Sequence, residues 1–122
     1  DARRLLAVLP PASLDRVFLL FADPWPKARH AGRRFVGPAN LDRLATLLAD
    51  GAELRFASDD ANYVAWALMH LGRHPAFRWT ARRPADWQVR PEDWPATRYE
   101  AKAIAAGRRP AYLTWRRLPR AA

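Results

Sequence analysis

The feature that most constrains the fold of this chain is a short, uninterrupted apolar run, VFLLF, at residues 17–21. The run shows no alternation of apolar and polar residues, and such a run favours a strand buried on both faces of a parallel sheet. It is followed at once by Asp23-Pro24-Trp25-Pro26. The two prolines lack N–H donors and fix the backbone, so the strand must end there.

Helical and strand patterns alternate along the rest of the chain. A helix opening at Gly37-Pro38 has apolar residues at helical spacing and is expected to end at Gly51. A second strand over residues 53–57 and a helix capped by Ser58 or Asp59 follow. We expect an exposed loop over residues 27–37, short strands at 77–79 and 111–116, and a helix at 97–107. This order predicts an α/β domain with a mostly parallel sheet.

The charge balance points to a polyanionic partner. The 122 residues contain 21 Lys+Arg against 12 Asp+Glu, a formal charge of +9, and all the cations except Lys27 and Lys102 are arginine. The planar guanidinium of arginine donates paired hydrogen bonds that match phosphate oxygens and base edges. Cysteine is absent, which excludes disulfides and thiolate chemistry and suits a reducing cytosol. No apolar run is long enough for a membrane span, and no second ligand stands at metal spacing from His30, so no metal site is expected.

Two acidic residues follow predicted strands, where α/β sheets bind ligands. Asp23 comes after the first strand and Asp59 after the second. Beside Asp23, Trp25 offers a flat face on which a base can stack, although an Asp-Pro turn with a packed tryptophan is an equal alternative. Asp59 is either a ligand contact or a helix cap.

Two further segments have both a functional and a purely structural interpretation. Residues 27–34, KARHAGRR, contain four formal cations and a histidine without an acid, so they form either a phosphate-binding patch or a solvated basic loop. Residues 97–100, TRYE, match the capping box that starts a helix, and the same turn can also present its side chains to a ligand. No glycine-rich phosphate loop is present in the sequence.

Three motifs together resemble the tRNA (guanine-N7-)-methyltransferase family. FADPWPKARH with Arg33-Arg34 resembles its F-P-D-P-W-x-K-x-R-H-x-x-R-R run. Ala57-Ser58-Asp59 with Tyr63 resembles A-T-D-x-x-x-Y, and residues 97–100 resemble T-K-F-E. Order and spacing agree over nearly the whole chain. The departures from the family pattern are Ala22, Asp60, Ala103 and Arg108.

The resemblance implies the C-terminal half of a Rossmann-like, S-adenosylmethionine-dependent methyltransferase fold, with a late antiparallel strand. Residues 1–122 would form a partial methyltransferase domain on the substrate side, without the N-terminal glycine-rich cofactor half. Asp23 is expected to be the catalytic residue, and Asp1 and Asp23 to contact the cofactor. The expected substrate contacts are Lys27, Asp59, Thr97, Arg98, Tyr99 and Glu100. The expected contacts to the tRNA backbone are Arg29, His30, Arg33 and Arg34.

The reaction implied by the resemblance is methylation of a guanine N7 in the tRNA variable loop. N7 has a free lone pair, so alignment matters more than a general base, and the Asp23 carboxylate would stabilise the charge that develops on the purine. Two alternatives remain open: a basic RNA-binding module without catalysis, and a fragment of an exocyclic-amine DNA methyltransferase, since Asp-Pro-Trp-Pro also resembles the motif of that group. The first strand, central in that fold, would lack a neighbour here, so the 122-residue chain is expected to be inactive alone and to self-associate.

Overall fold

The computed structural model of the chain describes residues 2–121. Five α-helices, four strands and one 3₁₀ helix lie within that part of the chain. In chain order they are α1 (Ala2–Val8), β1 (Leu14–Leu20), the 3₁₀ helix (Ala28–Arg33), α2 (Pro38–Leu47), β2 (Leu48–Ser58), α3 (Ala61–Arg73), β3 (Phe77–Trp79), α4 (Ala85–Gln88), α5 (Arg98–Ala105) and β4 (Ala111–Arg117).

The four strands form one sheet in the order β1-β2-β4-β3. β1 pairs with β2 in parallel, and β4 runs antiparallel to both β2 and β3. Three strands therefore share one direction and the last strand opposes them. This confirms the prediction of a mixed α/β fold with a mostly parallel sheet and a late antiparallel strand.

The main core lies on the sheet face that α1, α2 and α3 cover. Leu41 and Leu44 of α2 and Leu71 of α3 are fully buried there, because their helical spacing places them on the side that faces the sheet. On the other face, Trp94 packs edge-on against Phe18 and Tyr112, with ring centroids 5.8 and 5.7 Å apart. That second cluster is smaller and leaves part of the face open.

β1 differs from the strand that its sequence predicts. It lies at one end of the sheet order, and the side chains at 17–20 are half-buried rather than enclosed on both faces. The apolar run makes the strand suitable for burial, but burial also requires neighbouring segments on both sides. Among the described residues, β2 is the one strand that pairs with β1. An apolar strand edge of this kind is prone to pair with another chain.

Two local expectations were wrong in their details. Residues 27–37 are not a loop exposed throughout, because they form the 3₁₀ helix and bury Arg34 and Val36. α2 ends at Leu47, and Gly51 lies within β2, where its φ of +78° fits an irregular stretch of the β1–β2 pairing.

No helix in residues 2–121 combines the length and apolarity that a bilayer span requires.

Candidate active site at the carboxyl edge of the sheet

Three loops meet at one edge of the sheet because of the strand register. Leu20 at the end of β1 pairs with Ala57, and Ser58 at the end of β2 pairs with Ala111 at the start of β4. The loop after β1 and the turn after β2 therefore begin next to the point where the segment before β4 ends. Ligands bind at this carboxyl edge in open α/β sheets.

The loop after β1 holds Asp23 in a strained backbone. Phe21 and Trp25 have φ values of +54° and +44°, a left-handed conformation that is unfavourable for bulky residues. Strain of this kind persists only where the surroundings enforce it, and it clusters at functional sites. Asp23 is exposed between the two strained residues and lines an open cavity of about 480 Å³, whose other lining residues are Arg3, Ala22, Trp25, Arg33 and Phe35.

The basic segment after this loop divides into exposed and buried cations. Lys27, Arg29 and Arg33 are exposed, and His30 is half-buried. The structure does not bring Arg34 to the same face: the side chain is buried, and its guanidinium donates to the Pro24 carbonyl oxygen at 2.7 Å. The four residues expected to hold a tRNA backbone therefore occupy three different environments, exposed for Arg29 and Arg33, half-buried for His30 and buried for Arg34.

Trp25 is covered by its own loop. The Arg33 guanidinium lies 5.1 Å from the centre of the indole, and the His30 ring packs edge-on against it at 5.6 Å. Trp25 is half-buried by these contacts. The three side chains thus form one cluster beside Asp23.

The turn after β2 gives Asp59 and Asp60 different tasks. Asp60, not Ser58 or Asp59, caps α3: its carboxylate accepts a hydrogen bond from the Tyr63 backbone N–H at 2.8 Å. The expectation of a Ser58 or Asp59 cap was therefore wrong by one residue. Asp59 is left to form an ion pair with the Nε of Arg108, which precedes β4. Sequence reasoning missed this pairing, although the two arginines Arg108 and Arg109, one residue before the predicted strand, were a visible signal.

At the start of α5, the Thr97 hydroxyl accepts from the Glu100 backbone N–H at 3.1 Å, as in a capping box. The Glu100 carboxylate is buried and does not complete the box. It accepts a hydrogen bond from the Tyr112 hydroxyl at 2.6 Å and lies 3.2 Å from Arg90 Nε. Burial and the Glu100 carboxylate together raise the pKa of Tyr112 well above its usual value. Tyr112 and Arg90 are site neighbours that sequence reasoning missed.

A second, larger cavity of about 810 Å³ opens beside Glu100 and Tyr112. Its lining includes Arg90, Arg108 and Arg109, together with apolar groups of Trp87 and Ile104. The wall therefore mixes apolar and charged groups, and its charged groups are mainly cationic. Arg98 and Tyr99 project from the first turn of α5 and are exposed. Asp1, an expected cofactor contact, lies outside the described residues.

Comparison with known proteins identifies the family of the chain. The family described as "Putative methyltransferase" matches residues 1–113. A tRNA (guanine-N(7)-)-methyltransferase of Rhodospirillum rubrum is 64% identical over 122 residues, which cover 100% of this chain and 48% of the relative. A second protein of that name, from Mesorhizobium japonicum, is 59% identical over 115 residues, covering 94% of this chain and 49% of the relative.

The chain thus spans about half the length of the curated relatives that it matches. Among solved structures, a "Putative DNA Modification Methylase" from Thermus thermophilus is similar with a TM-score of 0.53 at 20% identity, covering 100% of this chain and 53% of that one. At this identity the likeness concerns the fold alone. With the family match extending over residues 1–113, the chain belongs to the family described as "Putative methyltransferase".

Proposed function

We propose that these 122 residues supply the substrate side of an enzyme that transfers a methyl group from S-adenosylmethionine to N7 of a guanine in the tRNA variable loop. The observation that carries the proposal is the 64% identity, over the whole chain, to a relative named tRNA (guanine-N(7)-)-methyltransferase. The two relatives described above, both named tRNA (guanine-N(7)-)-methyltransferase, do not favour the alternatives of an RNA-binding module without catalysis and a methyltransferase acting on DNA amines. A tRNA substrate also suits the cytoplasmic location expected from the sequence.

The residues present fit one end of S-adenosylmethionine. When bound, this cofactor supplies an electrophilic methyl group on a positively charged sulfonium. Asp23 offers an exposed carboxylate at the carboxyl edge of the sheet, beside an open cavity of about 480 Å³. A carboxylate in that place favours a cation, whether on the cofactor or on a methylated purine. We assign Asp23 to the junction between cofactor and base.

Asp23 needs no proton-accepting role in this chemistry. Guanine N7 is an acceptor with a free lone pair, so the chain has only to align it and to stabilise the charge that develops on the ring. Asp59 and Glu100 lie beside the same edge, and Lys27, Thr97, Arg98 and Tyr99 are its other proposed substrate contacts. Asp59 and Glu100 are already held by Arg108 and Tyr112, so their carboxylates are positioned before any ligand arrives.

The exposed cations give the tRNA backbone a place to bind. Lys27, Arg29 and Arg33 are exposed around the Asp23 loop, within a chain whose formal charge is +9. Phosphate contacts of this kind hold an RNA in register without reading its sequence. Because methyltransferases reach a stacked base by extruding it, the backbone contacts should form before the guanine enters the site.

The test is an Asp23→Asn substitution in the full-length protein, assayed with labelled S-adenosylmethionine and tRNA. We expect turnover to fall by about 100-fold or more, the usual cost of removing an electrostatic contact to a transition state. The tRNA Kd should change by less than about twofold, since Asp23 makes no phosphate contact. Asp15→Asn is the matched control, because Asp15 is also exposed and lies at the opposite end of β1.

Four results would contradict the proposal. Normal turnover in the Asp23→Asn protein would remove Asp23 from the site. Methylation by the unmodified protein of DNA instead of tRNA, or of a tRNA whose variable-loop guanine has been replaced, would reject the substrate. Binding of tRNA without any methyl transfer would favour the RNA-binding module.

A further inference from the structure

Arg34 is the one cation of residues 27–34 that is buried, with 4% of its surface exposed. Burying a guanidinium is costly unless hydrogen bonds and packing replace its water. Arg33, its direct neighbour in sequence, is exposed. The difference indicates that Arg34 serves the protein interior rather than a phosphate at the surface.

On one side, Arg34 contacts the loop that holds Asp23. Its Nε donates to the Pro24 carbonyl oxygen at 2.7 Å, and Nη2 approaches the Trp25 carbonyl oxygen at 3.4 Å. These carbonyls flank the strained backbone at Trp25. Pro24 and Pro26 provide no N–H donors, so the loop has few hydrogen bonds of its own, and contacts from outside must hold the strained conformation.

On the other side, Arg34 contacts the first turns of α3. Nη2 also donates to the Asn62 side-chain oxygen at 2.8 Å. The guanidinium lies over the rings of Tyr63 and Trp66, at 5.4 and 5.0 Å from their centres. Contacts of this type are strongest when the cation is removed from water, as it is here.

The segment after Arg34 is fastened to the same helix. The Val36 N–H donates to the Tyr63 hydroxyl oxygen at 3.2 Å, and the Trp66 indole N–H donates to the Val36 carbonyl oxygen at 2.6 Å. Arg34 therefore sits in a preformed slot. Since α3 starts two residues after Asp59, that slot lies between the Asp23 loop and the turn that bears Asp59.

We propose that Arg34 is a positioning residue that ties the Asp23 loop to α3 and so fixes the Asp23 and Asp59 carboxylates relative to each other. This replaces the phosphate contact expected from the sequence, and it rests on the proposed function for its link to methyl transfer. The planar fork matters, because one guanidinium donates in two directions while it stacks on two rings. A lysine at this position has no such fork.

The test introduces Arg34→Lys and Arg34→Gln into the full-length protein, with Arg29→Gln as the matched control for an exposed cation. We expect both Arg34 variants to lower kcat at least tenfold while the tRNA Kd stays within about twofold, because misplacing reacting groups costs rate rather than binding. The slope of log Kd against log salt should stay unchanged for the Arg34 variants and should fall by about 1 for Arg29→Gln.

Amide hydrogen exchange tests the positioning role without relying on activity. Peptides that span residues 21–36, in which the N–H groups of Phe21, Arg34 and Val36 are hydrogen-bonded, should exchange faster in both Arg34 variants, and unchanged protection would overturn the proposal. A salt slope reduced to the same extent as in Arg29→Gln would overturn the proposal in favour of a phosphate contact. An unchanged kcat in the Arg34 variants would also overturn the proposal. If the unmodified protein shows no methyl transfer to tRNA, the proposed function fails, while the exchange result still decides the role of Arg34.

A milder variant covers the case in which the Arg34 variants do not fold. Asn62→Ala removes one hydrogen-bond partner of Arg34 from the exposed surface of α3 and leaves the guanidinium in place. We expect faster exchange in residues 21–36, with the thermal midpoint within a few degrees of that of the unmodified protein. Unchanged exchange in this variant would count against the proposal.

Discussion

Removal of the Tyr112 hydroxyl should destabilise the protein through Glu100. The hydroxyl donates to Glu100 Oε2 at 2.6 Å, and both residues are buried. In a Tyr112→Phe variant, Arg90 still lies 3.2 Å from the other carboxylate oxygen, Oε1, but Oε2 loses this donor. A hydrogen bond to a charged group contributes about 1.5–3 kcal/mol, so we expect the free energy of unfolding to fall by about 2 kcal/mol.

Urea denaturation of the full-length protein measures this loss. With a slope of about 2 kcal/mol per molar urea, a loss of about 2 kcal/mol moves the midpoint down by about 1 M. Tyr99→Phe is the matched control, because Tyr99 is 67% exposed and lies on the same helix as Glu100. Equal midpoints for the two variants would refute the reasoning.

The same contact makes a prediction about pH. Burial, and then the hydrogen bond to Glu100, raise the pKa of Tyr112, so the folded state favours the neutral phenol. This contribution to stability is complete below about pH 10, where the unfolded tyrosine ionises, and it is lost as the pH rises further. Tyr112→Phe should therefore lose less stability above that pH than the unmodified protein. Burial also raises the pKa of Tyr63, so part of the alkaline loss should persist in the variant.

Three further outcomes are expected. Asp60→Ala should remove the cap of α3 and lower the free energy of unfolding by about 1 kcal/mol, whereas Asp60→Asn should retain most of the cap's stabilisation. Equal urea midpoints for the two variants would contradict the capping role of Asp60. Arg29→Gln combined with Arg33→Gln should lower the salt slope of tRNA binding by about 2, whereas Arg43→Gln on α2 should leave it unchanged. The 122-residue chain by itself should self-associate through the edge of β1, and a monomer at every concentration in sedimentation experiments would contradict this.

Local sequence predicted the elements well where one short segment contains the whole signal. The helical spacing of Leu41 and Leu44 predicted α2, and proline and glycine positions predicted most of the turns. The carboxyl-edge placement of Asp23 and Asp59 also followed from the alternation of strands and helices, because parallel strands direct their ends to one side. The cap error at Asp60 arose because Ser58, Asp59 and Asp60 are adjacent and all suited to cap a helix. The error at Gly51 arose because the chain from Leu48 onward joins β2 and pairs with β1, which a local pattern does not show.

The contacts that hold the candidate site were beyond a local pattern. Asp59 pairs with Arg108, which is 49 residues away, and Arg34 reaches Asn62 across 28 residues. Neither pair forms a spacing that a helix or strand period would reveal. Their partners depend on which segments the register of β1, β2 and β4 brings together.

The sequence by itself determined the order of helices and strands, the basic character of the chain and the three motifs that resemble one family. The tertiary structure alone decided which charged residues face solvent and which serve the interior. Arg33 and Arg34 are adjacent and chemically identical, yet the first is exposed and the second is buried against α3. Propensity and periodicity act over a few residues, whereas the burial of a charge depends on whether a distant segment supplies its hydrogen bonds.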